Sequence, residues 1–244
     1  IRGLALYIRK TADVKFRSIE KVEEKDYYPL SYAQKRLYVL QQMSPGGVAY
    51  NMPSVFIMEG ELDKDKLKAA FEKLINRHES LRTSFHIVQG KPVQRVYNST
   101  AFEIEYYKGG IEKAGNRDQG LVLSGVPLDQ VVGRFIRPFD LSQAPLLRVG
   151  IIDIKETVKF LLVDMHHIIS DGTSTGIFIK EFMGLYETGE FPSPAIQYKD
   201  FSEWQIGHLE MQKELEEYWL HQFSDDIPVL DLPTDFPRPQ VRSY

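Results

Sequence analysis

Residues 146–167 restrict the fold more than any other stretch of this chain. They read Leu-Leu-Arg-Val-Gly-Ile-Ile-Asp-Ile and then, after a turn at Lys155 and Glu156, Val-Lys-Phe-Leu-Leu-Val-Asp-Met-His-His. Two apolar runs separated by a polar turn predict a β-hairpin. Successive side chains of a strand alternate between its faces, so Phe160, Leu162, Asp164 and His166 share one side and Leu161, Val163, Met165 and His167 the other. The two adjacent histidines therefore point apart. The strand runs straight into Ile168-Ile169-Ser170-Asp171-Gly172, ahead of a predicted helix.

Three readings of the histidine pair compete. Two ligands of one metal ion must converge on it, and no third His, Cys or acidic ligand stands at a familiar spacing, so a metal is not expected. Two core histidines satisfied by hydrogen bonds are the ordinary reading of His in a strand. The third is an acid/base site. A strand ending in His, a short Ile-Ile-Ser turn, and Asp171 and Gly172 before a helix N-terminus would gather a titratable base, an acid and free backbone N–H groups. Such a site can take a proton from a nucleophile and stabilise the oxyanion that forms. Gly172 is expected where a tight turn or close backbone approach leaves no room for a Cβ. Asp171 would either raise the pKa of His167 or act as a structural pin beside a buried arginine, because a lone buried carboxylate is costly. Arg77 and Arg82, flanking the end of a predicted helix, are the candidate partners; their alternative is ordinary surface arginine.

Around this segment the spacing predicts further elements. Ser31 and Gln34 have capping-box spacing ahead of a helix over 32–43. Leu67, Ala70, Phe71, Leu74 and Ile75 form the apolar stripe of a helix over 64–77 that Asp63 caps. Residues 81–88 and 92–97 read as a hairpin turning at Gln89 and Gly90, and residues 98–122 as polar and irregular. Leu128, Val131, Val132, Phe135 and Ile136 give a helical stripe stopped by Pro138. Thr173 or Ser174 can cap a helix to about Thr188, with Ile177, Phe178, Phe182 and Leu185 inward. A longer helical region covers 198–223, and the three prolines of 230–244 predict an extended connector.

Composition narrows the function classes. With 43% hydrophobic residues, the 244-residue chain can bury a sizeable core, as one large domain or two modest lobes. A net charge of −4 and the lack of a long Lys/Arg run argue against nucleic acid as a partner. The absence of cysteine excludes disulfides, thiolate catalysis and Cys-based zinc sites, and fits a cytoplasmic location. Charges interrupt every apolar stretch well short of the ~20 residues that span a bilayer, so no membrane partner is expected. The first ten residues do not have the form of a signal peptide.

Taken together, Ser31–Leu40 (SYAQKRLYVL), Arg77–Phe85 (RHESLRTSF), Arg137–Arg148 (RPFDLSQAPLLR), His166–Gly172 (HHIISDG) and Tyr198–Trp204 (YKDFSEW) resemble, in order, the motifs of the N-terminal half of a condensation domain of nonribosomal peptide synthetases. The resemblance implies an α/β sandwich of the chloramphenicol acetyltransferase type, with helices packed on a mainly antiparallel sheet. It implies a lobe over 28–225, the end of an upstream carrier-domain helix at 1–10, a linker over 11–27, and a connector over 226–244 toward a C-terminal lobe that this chain lacks. By the same resemblance His167 stands at the reacting centre, as base or as positioning group, and His166 is structural. Asp171 becomes a pin salt-bridged to an arginine of RHESLRTSF, Gly172 approaches substrate through its backbone, and Tyr198, Asp200 and Trp204 are packing residues. The pattern is closest to the type joining two L-residues; His166 argues against the heterocyclising type, which has Asp there. The implied partners are upstream and downstream peptidyl carrier proteins, whose phosphopantetheine arms bring the substrates. No cofactor is loaded covalently here, since the carrier attachment serine is not in the chain. The lobe alone is expected to be inactive. A non-catalytic condensation-like domain that recruits carriers or partners is the alternative, and a stand-alone CoA-dependent acyltransferase a third reading.

Overall fold

The computed structural model describes residues 18–107, 111–113, 121–123, 126–155, 158–207, 209–227, 233 and 235–237. The chain divides into two compact units, residues 1–206 and 207–244. The helix expected at 1–10, the first part of the linker, the turn residue Glu156 and most of the Pro-rich connector lie outside the described residues.

β1 (Tyr28–Pro29) leads into α1 (Tyr32–Met43). The capping box forms as its spacing predicts: Ser31 Oγ accepts the Gln34 N–H at 3.2 Å and Gln34 Oε1 accepts the Ser31 N–H at 3.1 Å. After β2 (Asn51–Glu59), Asp63 caps α2 (Lys64–Arg77) by accepting the Lys66 N–H at 2.9 Å. A short 3-10 helix (Glu79–Arg82) feeds β3 (Thr83–Val88), which turns into β4 (Lys91–Val96). Both turn residues are left-handed, Gln89 at φ 50° and Gly90 at φ 74°, as the primed turns of two-residue hairpins require.

The stretch read as irregular instead carries β5 (Ile104–Tyr107), β6 (Ile111–Lys113) and β7 (Leu121–Leu123), followed by β8 (Val126–Pro127). These strands are two to four residues long, too short for a period of two to stand out. α3 (Leu128–Phe135), β9 (Leu147–Lys155), β10 (Val158–His166) and α4 (Gly172–Thr188) follow. The region expected to be helical over 198–223 is helical over α5 (Tyr198–Gly207) and α6 (Leu209–Gln222), with residue 208 outside the described residues.

The central sheet has the order β2-β10-β9-β5. β10 pairs antiparallel with both β2 and β9, while β5 runs parallel to β9, so the sheet is mixed. A second antiparallel sheet has the order β1-β4-β3 and a small third one β6-β7-β8. On one face of the central sheet, Leu161, Val163 and Met165 bury against Leu67, Phe71 and Leu74 of α2 and Phe178, Phe182 and Leu185 of α4. The Phe71 ring lies 4.6 Å from that of Phe182 and 5.7 Å from that of Phe102. Burying a ring of this size contributes about 2–3 kcal/mol. On the other face, Leu162 and Ile152 meet Val131 and Phe135 of α3. Apolar layers on both faces explain why β10 is nearly continuous in hydrophobicity.

Before β1, part of the expected linker is pinned to α5. The Val22 N–H donates to Asp200 Oδ1 at 3.0 Å, and Lys25 Nζ meets Glu203 Oε1 at 2.6 Å. Asp200, wholly buried, also accepts the Gln197 N–H at 2.6 Å and so steadies the start of α5.

Candidate active site

The end of β10 and the start of α4 bring the motif together. His166, the last strand residue, has no solvent exposure. Its Nδ1 accepts the Ile168 N–H at 3.1 Å, so the proton sits on Nε2, which faces Gln41 Oε1 at 3.3 Å. The Phe139 ring packs edge-on against it at 6.1 Å. Burial, aided by the neighbouring His167, drops its pKa from 6.5 to about 4. This residue is a neutral, fully buried part of the core.

His167 is the first residue past the strand. Its N–H donates to the Tyr50 carbonyl at 2.8 Å, which continues the β2–β10 pairing by one more bond. Its ring turns toward the following loop, where Nδ1 lies 2.8 Å from the Ser170 carbonyl. A carbonyl only accepts, so Nδ1 carries the proton and Nε2 keeps its lone pair. The side chain is exposed and lines a cavity of about 290 Å³ together with Gln34, Leu37, His78, Ser170, Ile177 and Tyr198, among others. His166 is not among the lining residues. Alternation along the strand thus separates the pair, one imidazole into the protein and one into the cavity.

Asp171 is not a pin for an arginine. It is exposed and caps α4, its Oδ1 accepting the Ser174 N–H at 2.8 Å and the Ser174 hydroxyl at 2.7 Å. Those two bonds hold its carboxyl below the usual carboxylate range. The cap is therefore Asp171 rather than Thr173 or Ser174. A carboxylate that is solvated and doubly hydrogen-bonded at a helix N-terminus needs no cation. Both arginines pair elsewhere. Arg77 donates from Nε (2.5 Å) and Nη2 (3.1 Å) to Glu181 of α4. Arg82 donates from Nη1 to the Tyr97 carbonyl and stands 3.6 Å from Glu79.

At Gly172 the protein itself makes no tight turn or close approach. The residue opens α4 without a left-handed φ, and a Cβ built on it would meet nothing within 4 Å. The fold of the chain itself does not demand glycine there, and the space over its Cα is open.

Sequence reasoning passed over Glu181 and His78. Glu181 is 7% exposed and accepts at 2.5 Å from both Arg77 and His78 Nε2. A signal was available, because Glu181 sits between Phe178, Phe182 and Leu185 on the apolar stripe of α4, where a carboxylate must find partners. Ile177, assigned to that stripe, is instead 47% exposed and faces the cavity. Tyr198, read as packing, is also at the cavity, its hydroxyl 2.9 Å from Ser31 Oγ. Among the described residues no group of three His, Cys, Asp or Glu side chains could hold a metal ion, and no helix is long and apolar enough to cross a membrane.

A mixed sheet between helical layers, with an imidazole at the end of one of its inner strands opening into a cavity, defines an α/β sandwich with a histidine-lined cavity. The model of the Condensation domain family matches residues 24–244, and the chain belongs to that family. Along its whole length it is 44% identical to gramicidin S synthase 2 of Brevibacillus brevis and 47% identical to bacitracin synthase 2 of Bacillus licheniformis. It spans only 5% and 9% of those proteins. Among solved structures, the complex of the X-domain and OxyB from teicoplanin biosynthesis superposes with a TM-score of 0.75 at 20% identity, over 93% of this chain and 50% of that one. The starter condensation domain of the rhizomide synthetase RzmA gives 0.65 at 20% identity, over 81% and 48%. The chloramphenicol acetyltransferase-like fold implied by the motifs is the fold found, and the chain spans about half of each structural neighbour.

Proposed function

We propose that this chain supplies the His167-bearing lobe of a peptide-bond-forming condensation domain. The amine of an aminoacyl group on a downstream carrier attacks the thioester of an acyl or peptidyl group on an upstream carrier. A C–N bond forms, the C–S bond breaks, one amine proton is shed, and the departing thiolate takes up a proton. His167 Nε2 receives the amine proton, or accepts its hydrogen bond while the tetrahedral intermediate collapses. The observation that carries this reading is the Nδ1–Ser170 bond of 2.8 Å, which turns the free lone pair of Nε2 into a buried-walled cavity. The open space over Gly172 supports a close approach of substrate to the backbone there.

Both substrates arrive on the phosphopantetheine arms of carrier proteins, so the lobe needs no cofactor of its own. A second lobe completes the site around this cavity, and this lobe by itself is inactive. The assembly works in the cytoplasm. In the full-length synthetase, His167→Ala should lower single-turnover product formation at least about a hundredfold, with loading of both carriers unchanged. An unaltered rate would overturn the reading. Carrier binding without any product from the wild-type protein would mark a recruiting domain instead.

A further inference from the structure

His78 lines the same cavity as His167, from a different element far earlier in the chain. It stands at the junction of α2 and the 3-10 helix. There its N–H donates to the Leu74 carbonyl at 3.1 Å and its own carbonyl accepts the Leu81 N–H at 3.0 Å. Its ring is held by Glu181, whose Oε2 lies 2.5 Å from Nε2. Burial pushes the Glu181 carboxyl up, but the bonds from Arg77 and His78 outweigh it and keep it below its ordinary value. An ionised carboxylate only accepts, so Nε2 of His78 carries a proton. Its Nδ1 has no hydrogen-bond partner among the described residues.

The cavity thus holds two imidazoles in mirror-image states. Both rings border it: His167 is anchored through Nδ1, which leaves Nε2 as its second nitrogen, and His78 through Nε2, which leaves Nδ1. A primary amine whose lone pair points at a thioester carbonyl has N–H bonds left over, and one acceptor can bind only one of them. We propose that His78 Nδ1 accepts the second N–H of the attacking amine and so orients its lone pair on the carbonyl, an assignment that rests on condensation at His167. Orientation of this kind lowers the barrier without any proton transfer by His78.

Two substitutions separate the two nitrogens. Asn places its amide near the position of Nδ1 and cannot reach Glu181, while Gln places its amide near Nε2 and leaves Nδ1 empty. In the full-length synthetase, with the acceptor carrier loaded by its own module, His78→Gln should cut kcat/KM for the loaded acceptor about tenfold, the worth of one hydrogen bond. The KM for the donor carrier should not move. His78→Asn should recover to within about threefold of wild type, since an acceptor is restored. The assignment is overturned if Gln behaves as wild type, or if both variants lose activity in step with a lowered melting temperature, which marks a purely structural role. His167→Ala in the same assay tells the two readings apart. If it is inactive while His78→Gln is normal, only the His78 assignment falls; if it keeps the wild-type rate, the condensation reading falls first.

Discussion

His166 accepts an N–H on Nδ1 and donates from Nε2 toward Gln41, among the rings of Phe139 and Tyr50. Protonating it would replace an accepted hydrogen bond with a repelled one and place a charge where no water reaches. In the unfolded chain the imidazole binds a proton below its ordinary 6.5; in the folded chain it does so only below about 4. Between those values the unfolded state holds the extra proton, so acidification from 6.5 to 4 removes stability and nothing is lost above 6.5. The loss from this one residue is on the order of 3 kcal/mol. Asp164, on the same face and 3.4 Å from Arg148 Nη1, works in the other direction, because burial pushes its carboxyl up and acid then favours the folded state. Comparison with a variant therefore isolates the histidine. Urea unfolding followed across this range should show a steep loss for wild type and a flatter one for His166→Gln. Parallel slopes would mean that His166 does not titrate as described.

At the scale of elements, the start of α4 gives a test that distinguishes a cap from an ion pair. If Asp171 works as a cap, Asp171→Asn keeps an oxygen for the Ser174 N–H and should be nearly neutral, while Asp171→Ala should cost about 1 kcal/mol in thermal or denaturant unfolding. If it worked as a buried partner of an arginine, Asn and Ala would be alike and both would cost about 3–5 kcal/mol. The elements that were legible beforehand have causes inside a few residues: the Ser31–Gln34 box, the Asp63 cap, the Gln89–Gly90 turn, and the alternation that parts His166 from His167. Those that were not depend on distant partners. β5 is a four-residue strand whose place in the central sheet comes, among the described residues, from parallel pairing with β9 some way along the chain. Arg77 finds Glu181 across 104 residues, and nothing in the spacing around either says that it will prefer Glu181 to Asp171. That His167 and His166 face different ways was legible, because strand alternation decides it locally. The placing of His78 on the same cavity was not legible, because the carboxylate that holds its ring lies 103 residues away.

At the scale of the whole first unit, the position of β10 rests on two layers that press on one sheet, and the second layer has little slack. Val131 and Phe135 of α3 reach Ile152 and Leu162, and Phe135 does so over the bare Cα of Gly150 in β9. A Cβ on Gly150 would lie 3.0 Å from Phe135 Cε2 and 3.3 Å from Tyr107 Cε2, so the ring would have to move and lift α3 from the sheet. Gly150→Ala should therefore cost about 1–3 kcal/mol, the range for overpacking a filled core. Gly133, inside α3 on its exposed side, is the matched control, since a Cβ there meets nothing within 4 Å. Gly133→Ala should stabilise by up to about 1 kcal/mol, because a helix interior favours Ala over Gly by that amount. Melting curves of the two single variants should move in opposite directions. A Gly150→Ala protein that melts at the wild-type temperature would show that the α3 layer sits loosely, and that the apolar continuity of β10 has some cause other than burial on both faces.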